Sequence, residues 1–79
     1  MNINGSLEKR EYIGMKPRIR DIRLSKGLMQ KYCAEQIGVK QQLWSQYESG
    51  TRYPRIDRAY DIAKVLGVAI EDLYEEEIE

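Results

Sequence analysis

Histidine is absent from the 79-residue sequence, and cysteine occurs once, as Cys33. A single cysteine closes no intramolecular disulfide, and without histidine neither a Cys/His metal site nor histidine-based acid–base catalysis can be assembled. Long apolar runs are missing too: none approaches the ~20 residues of a membrane-spanning helix. Met1 to Gly14 carries no apolar stretch of the signal-peptide kind. The expected setting is the cytoplasm, beside the nucleoid, with no membrane partner. Basic residues are missing from one end. All 13 Lys and Arg lie before Val65, against seven acids there, whereas Val65 to Glu79 holds six acids and no base. The net charge of zero therefore divides into +6 and −6, a basic working surface followed by an acidic tail, and basic surfaces attract nucleic acid.

Seventy-nine residues make one small domain. A chain of that length buries only about 60 to 68% of its unfolded surface, which leaves little room for a deep substrate cavity. The carboxylates Asp57, Asp61, Glu71 and Asp72 are scattered over helical faces with no phosphate-binding loop near them. Catalysis is not expected, nor is a cofactor or a bound metal. With no appended sensor domain, control through concentration or another protein is expected rather than a small effector.

Periodicity along the chain is helical. Pro17 suits the first turn of a helix, and Ile19, Ile22 and Arg23 share a face until Lys26-Gly27, so the first helix is expected from Pro17 or Arg18 to about Lys26. Gln30 to Ile37, with Cys33, Ala34 and Ile37 inward, is the second. Gln41 to Glu48, with Trp44, Tyr47 and Glu48 on one face, is the third. Arg55 to Leu66, with Ile56, Ala59, Tyr60, Ala63 and Leu66 spaced by three and four, is the fourth. Ile70, Leu73 and Tyr74 make a short fifth. Five helices and no strand define an all-α fold. The expected organisation is an N-terminal arm at residues 1–15, a compact domain at 16–74 and an acidic tail at 75–79.

Helices two and three are separated only by Gly38, Val39 and Lys40. Two short helices joined by a tight glycine-containing turn form a helix-turn-helix, in which the second helix enters the DNA major groove. Such a crossing needs a small residue at the contact, a glycine at the turn and apolar residues inward on both sides. Ala34, Gly38, Val39, Trp44 and Tyr47 meet those needs in order.

Gly27-Leu28-Met29-Gln30, Cys33-Ala34, Ile37-Gly38-Val39, Tyr47-Glu48-Ser49-Gly50, Pro54 and Leu66-Gly67-Val68 are spaced as in the lambda-repressor-like, Xre-family helix-turn-helix proteins. The chain resembles that family from about Arg18 to Tyr74. The resemblance implies a compact five-helix DNA-binding domain. Its third helix would read base edges through Gln41, Gln42, Leu43, Ser45 and Gln46. Glutamine pairs bidentately with adenine and Leu43 suits a thymine methyl, while no arginine, the usual guanine reader, lies between Gln41 and Glu48; A·T-containing half-sites are expected. The resemblance further implies a phosphate contact at Gln30. Lys40, Arg52 and Arg55 are candidates for others. Arg23 and Glu48 correspond to an internal ion pair of the family.

Several positions depart from the family pattern. Met29, Lys40, Arg55 and Ala69 stand where Ser or Thr usually caps a helix, each lost cap costing ~1 kcal/mol. Trp44 is larger than the usual Ile or Val, which implies either a repacked core or an exposed ring. Cys33 replaces a leucine and reads as a small core residue. Function by resemblance is that of a transcriptional regulator, repressor in role, binding double-stranded DNA at an inverted repeat as a homodimer. Tyr60, Val65, Ile70, Tyr74 and Ile78 are the candidate dimer surface. The alternative is an antitoxin or partner-binding subunit on the same fold.

Overall fold

A computed structural model describes residues 15–77; the expected arm at Met1 to Gly14 and the candidate interface residue Ile78 lie outside them. In chain order the elements are β1 (Met15–Pro17), α1 (Ile19–Ser25), α2 (Gln30–Gln36), α3 (Gln41–Ser49), α4 (Ile56–Leu66), one 3-10 turn (Ile70–Leu73) and β2 (Tyr74–Glu76). No helix among the described residues is long and apolar enough to cross a membrane.

Each α-helix lies within two residues of its expected span, because each stop is written as a glycine. At the end of α2 the Gly38 N–H donates to Glu35 O and the Val39 N–H to Ala34 O, with Gly38 at φ +71°. Those bonds satisfy carbonyls that the last helical turn leaves open, and the left-handed backbone they need is costly for any residue with a Cβ. The starts are bare by comparison. Arg18, Met29, Lys40 and Arg55 precede the four α-helices, and none makes a side-chain capping bond.

Inward faces meet in one core of Ile19, Cys33, Ala34, Trp44, Tyr47, Ala59, Ile62, Ala63, Leu66 and Leu73. Trp44 and Cys33 are both fully buried. The indole is enclosed by the core rather than exposed, and burial pushes the Cys33 thiol above its ordinary range.

The expectation of five helices without a strand requires correction. Ile70–Leu73 forms a single 3-10 turn rather than a fifth helix, and Tyr74 then extends into β2. Continuing the helix would place Glu75, Glu76 and Glu77 at its C-terminus, where the helix dipole is already negative. Extended backbone instead pairs β2 antiparallel with β1, setting Lys16 opposite Glu75 and Pro17 opposite Tyr74. Arg18 NH1 lies 3.8 Å from Glu75 Oε2, and the Arg18 N–H donates to Leu73 O at 2.7 Å. Pro17 therefore belongs to a strand rather than to the first turn of α1, and the ribbon joins residues on both sides of the boundaries expected at 15/16 and 74/75.

Tyr53 fastens this ribbon to the helices. Its hydroxyl donates to Met15 O at 3.1 Å, and its ring meets Tyr74 edge to face at 5.6 Å. The Tyr74 hydroxyl is buried with no partner among the described residues, and burial, with Tyr53 and Tyr47 nearby, pushes its phenol up to about 12. An unpaired buried hydroxyl is destabilising, whereas the ring carries the packing. Tyr74→Phe should therefore leave stability unchanged or raise it by up to about 1 kcal/mol in chemical denaturation; a loss of that size would show that the hydroxyl is bonded after all.

Candidate nucleic-acid interface

The helix-turn-helix is held together by one carboxylate. Glu48, near the end of α3, is buried, and an ionised carboxylate buried without partners would unfold or neutralise. It has four. Arg23 Nε of α1 and Trp44 Nε1 donate to Glu48 Oε2 at 2.5 and 2.6 Å. Gln30 Nε2, at the start of α2, and Arg23 NH2 donate to Oε1 at 2.8 and 3.3 Å. A carboxylate offers about four lone-pair sites, so Glu48 is saturated. Arg23 NH1 meanwhile donates to Leu28 O at 2.8 Å in the loop between α1 and α2. Burial pushes the Glu48 carboxyl up, but hydrogen bonds from Arg23, Gln30 and Trp44, with the guanidinium charge, outweigh it and hold the group below the ordinary glutamate value.

This buried network reaches the surface through an amide relay. Glu48 can only accept, so it fixes the Gln30 amide with Nε2 inward and Oε1 outward. Gln41 Nε2, on the first turn of α3, then donates to Gln30 Oε1 at 3.3 Å. Gln41 is exposed, and this bond uses one of its two amide N–H groups, leaving the other N–H and the carbonyl available.

Of the expected base readers, Gln41, Gln42 and Ser45 are exposed, Gln46 is partly buried, and Leu43 is half-buried against the core. The phosphate candidates separate into two groups. Lys40 and Arg52 line a cleft on one flank of α3 together with Gln42, Leu43, Gln46 and Arg58. On the other flank Gln30, Ser45 and Ser49 share a cleft with Arg20. Arg55 lines neither, standing exposed at the start of α4. Arg58 and Arg20 were missed by sequence reasoning. Arg58 is one turn beyond Arg55, and Arg20 is one turn before Arg23, so helical spacing links each to a residue already singled out. Only the packing of α4 and α1 brings them beside α3. The ribbon lies beside the end of α3, where Lys16 and Glu77 both line a cleft with Ser49 and Gly50. Positive charge thus flanks α3 on both sides, from Lys40, Arg52 and Arg58 on one and Arg20 on the other.

Three short helices with this crossing, a glycine turn and a polar outward face on the second helix of the motif define a helix-turn-helix protein. The chain belongs to that family: the helix-turn-helix family profile matches residues 19–73, in the Xre or lambda-repressor-like group of DNA-binding transcription regulators. It is similar to an uncharacterised HTH-type transcriptional regulator of Archaeoglobus fulgidus, 37% identical over 60 residues that cover 76% of this chain and 86% of that protein. It is also similar to the cryptic phage CTXphi transcriptional repressor RstR of Vibrio cholerae, 38% identical over 56 residues. That match covers 71% of this chain and 50% of RstR, so the chain spans about half the repressor's length. Among solved structures, one from Bacteroides fragilis whose own DNA-binding role is inferred superposes with a TM-score of 0.73 at 26% identity, covering 77% of this chain and 98% of that one.

Two measurements test the network. Arg23→Ala strands the Glu48 charge and should cost roughly 3 to 5 kcal/mol in chemical denaturation; a variant melting like the parent would show that the pair carries no structural weight. Because the Glu48 carboxyl is depressed in the folded chain, its contribution is complete above the unfolded value of about 4.3 and is lost as pH falls through the lower folded value. Stability measured from pH 6 downward should fall across that window, and Glu48→Gln, less stable at neutral pH, should flatten this part of the slope.

Proposed function

We propose that this chain is a sequence-specific transcriptional regulator, a repressor in role, that binds an inverted-repeat operator as a homodimer with α3 in the major groove. The single observation that carries the reading is the Glu48–Gln30–Gln41 relay. It holds Gln41 with one donor and one acceptor free on the exposed side of α3. Adenine asks for that pair, taking the N–H at N7 and giving one from N6, a contact that discriminates by about 1 to 3 kcal/mol. Gln42, Ser45 and Gln46 extend the reading face, with Leu43 contributing what its packing leaves open. Lys40, Arg52 and Arg58 hold phosphates on one flank, and Arg20 and the backbone N–H of Gln30, at the start of α2, hold them on the other; these contacts position without reading. Likeness to a phage repressor supports the repressor role.

Two-fold binding follows from the size of the reader. One module of this kind buries a small area of DNA-facing surface, and two half-sites one helical turn apart, about 34 Å, recover affinity and specificity together.

Selection from a random duplex pool at fixed salt is the test. The expected winner is a palindrome with A·T pairs in each half. Gln41→Ala should relax the preference at one position by about ten- to a hundredfold while leaving the salt slope intact. Arg58→Gln should weaken all sequences alike and reduce that slope by about one. Binding that is indifferent to the glutamine substitutions, or no enriched site, would overturn the reading in favour of a partner-binding subunit.

A further inference from the structure

The hydrogen bonds that join Glu48 to Gln41 have a direction, and that direction is set inside the protein. Glu48 offers only lone pairs, so the Gln30 amide meets it with nitrogen and turns its oxygen to Gln41. Gln41 gives one of its two N–H groups to that oxygen and keeps the other N–H and its carbonyl. A donor in the place of the carboxylate would turn both amides around. Gln41 would then commit its carbonyl and keep two N–H groups.

The two arrangements suit different purines. In the major groove adenine presents an acceptor, N7, beside a donor, the N6 amine, whereas guanine presents two acceptors, N7 and O6. In the observed direction Gln41 gives one N–H to adenine N7 and takes one from N6. Set against guanine, the same amide satisfies N7 only, and its carbonyl oxygen faces O6, acceptor against acceptor. The second N–H that guanine asks for is the one already given to Gln30.

We propose that the buried Glu48, acting through Gln30, determines which purine Gln41 reads, so that adenine is accepted and guanine refused. The inference rests on the reading of α3 as the base-reading helix, and it makes Glu48 and Gln30 positioning residues for specificity although neither reads a base itself. The bonds around the carboxylate say what a change there would do. Two short donors, Arg23 Nε and Trp44 Nε1, converge on Oε2, while Oε1 takes Gln30 Nε2 and, at a longer 3.3 Å, Arg23 NH2. In Glu48→Gln the amide oxygen therefore takes the Oε2 place and the amide nitrogen faces Gln30. Gln30 must then accept on its inner side and donate on its outer side, which reverses the relay without touching the surface of α3.

The ratio of purine preferences at one base pair tests this. After selection from a random duplex pool, affinities at fixed salt would be compared for duplexes that differ only by A·T or G·C at the position that Gln41→Ala relaxes. Each variant would be assayed at a temperature where its melt shows it folded. The parent should favour adenine about tenfold or more. Gln30→Met breaks the relay and leaves Glu48 its bonds from Arg23 and Trp44, so the two purines should come within about threefold of each other. Glu48→Gln should bring guanine to parity or above. A purely structural role would weaken every sequence together and leave the ratio alone. A Gln30→Met chain that keeps the parent's ratio, or a folded Glu48→Gln chain that does so, would overturn the proposal; should Glu48→Gln not fold, Gln30→Met decides. Absence from the parent of any position that responds to Gln41→Ala would remove the base-reading assignment itself.

Discussion

A charged carboxylate taken out of water has to find donors for every lone pair, and in this protein that constraint falls on Glu48. Its donors come from three different helices: Arg23 from α1, Gln30 from α2 and Trp44 from its own α3. None of these groups can move far without leaving a buried charge short of a bond, at a cost of several kcal/mol. The relative placement of α1, α2 and α3 is therefore specified by directional bonds as well as by apolar packing. Such bonds specify better than apolar contact, because leucine against leucine tolerates a shift of an ångström and a saturated carboxylate does not.

The helices were legible because each combines a three- and four-residue apolar spacing with a glycine stop. The turn between α2 and α3 was legible because Ala34, Gly38 and Val39 leave little room for another geometry. The ribbon was not. Three-residue strands carry no usable period, and Tyr74 falls at helical spacing from Ile70, so the same residue satisfies both patterns until the three glutamates after it are weighed against the helix dipole. For the site, the exposed side of α3 follows from the spacing of one helix alone and is legible in the sequence. Arg58 and Arg20 are not, because each joins α3 only through the packing of a different helix. Trp44 stood out by its size, while its indole N–H bond to Glu48 depends on the ring's direction, which spacing does not encode.

Stability and recognition are distributed along different parts of the same helices. The C-terminal ends are closed by glycines with their backbone bonds satisfied, and the N-terminal ends are left without side-chain caps. At α3 and α4 the capping position is held by a cation, Lys40 and Arg55. A cation beside a helix N-terminus is unfavourable in isolation, since both carry positive charge. An anion brought to that end meets a donor-rich helix terminus and a side chain of the right sign together. The stability forgone at these positions is of the kind that a bound anion returns.

The only tryptophan of the chain has its indole nitrogen bonded to the buried carboxylate and its ring fully enclosed. Its emission is therefore a built-in optical label at the junction of the three helices. Solvent exposure of the ring, loss of the Glu48 charge and displacement of α3 all alter the surroundings of the same chromophore, so the integrity of the three-helix junction can be followed by light in the unmodified protein.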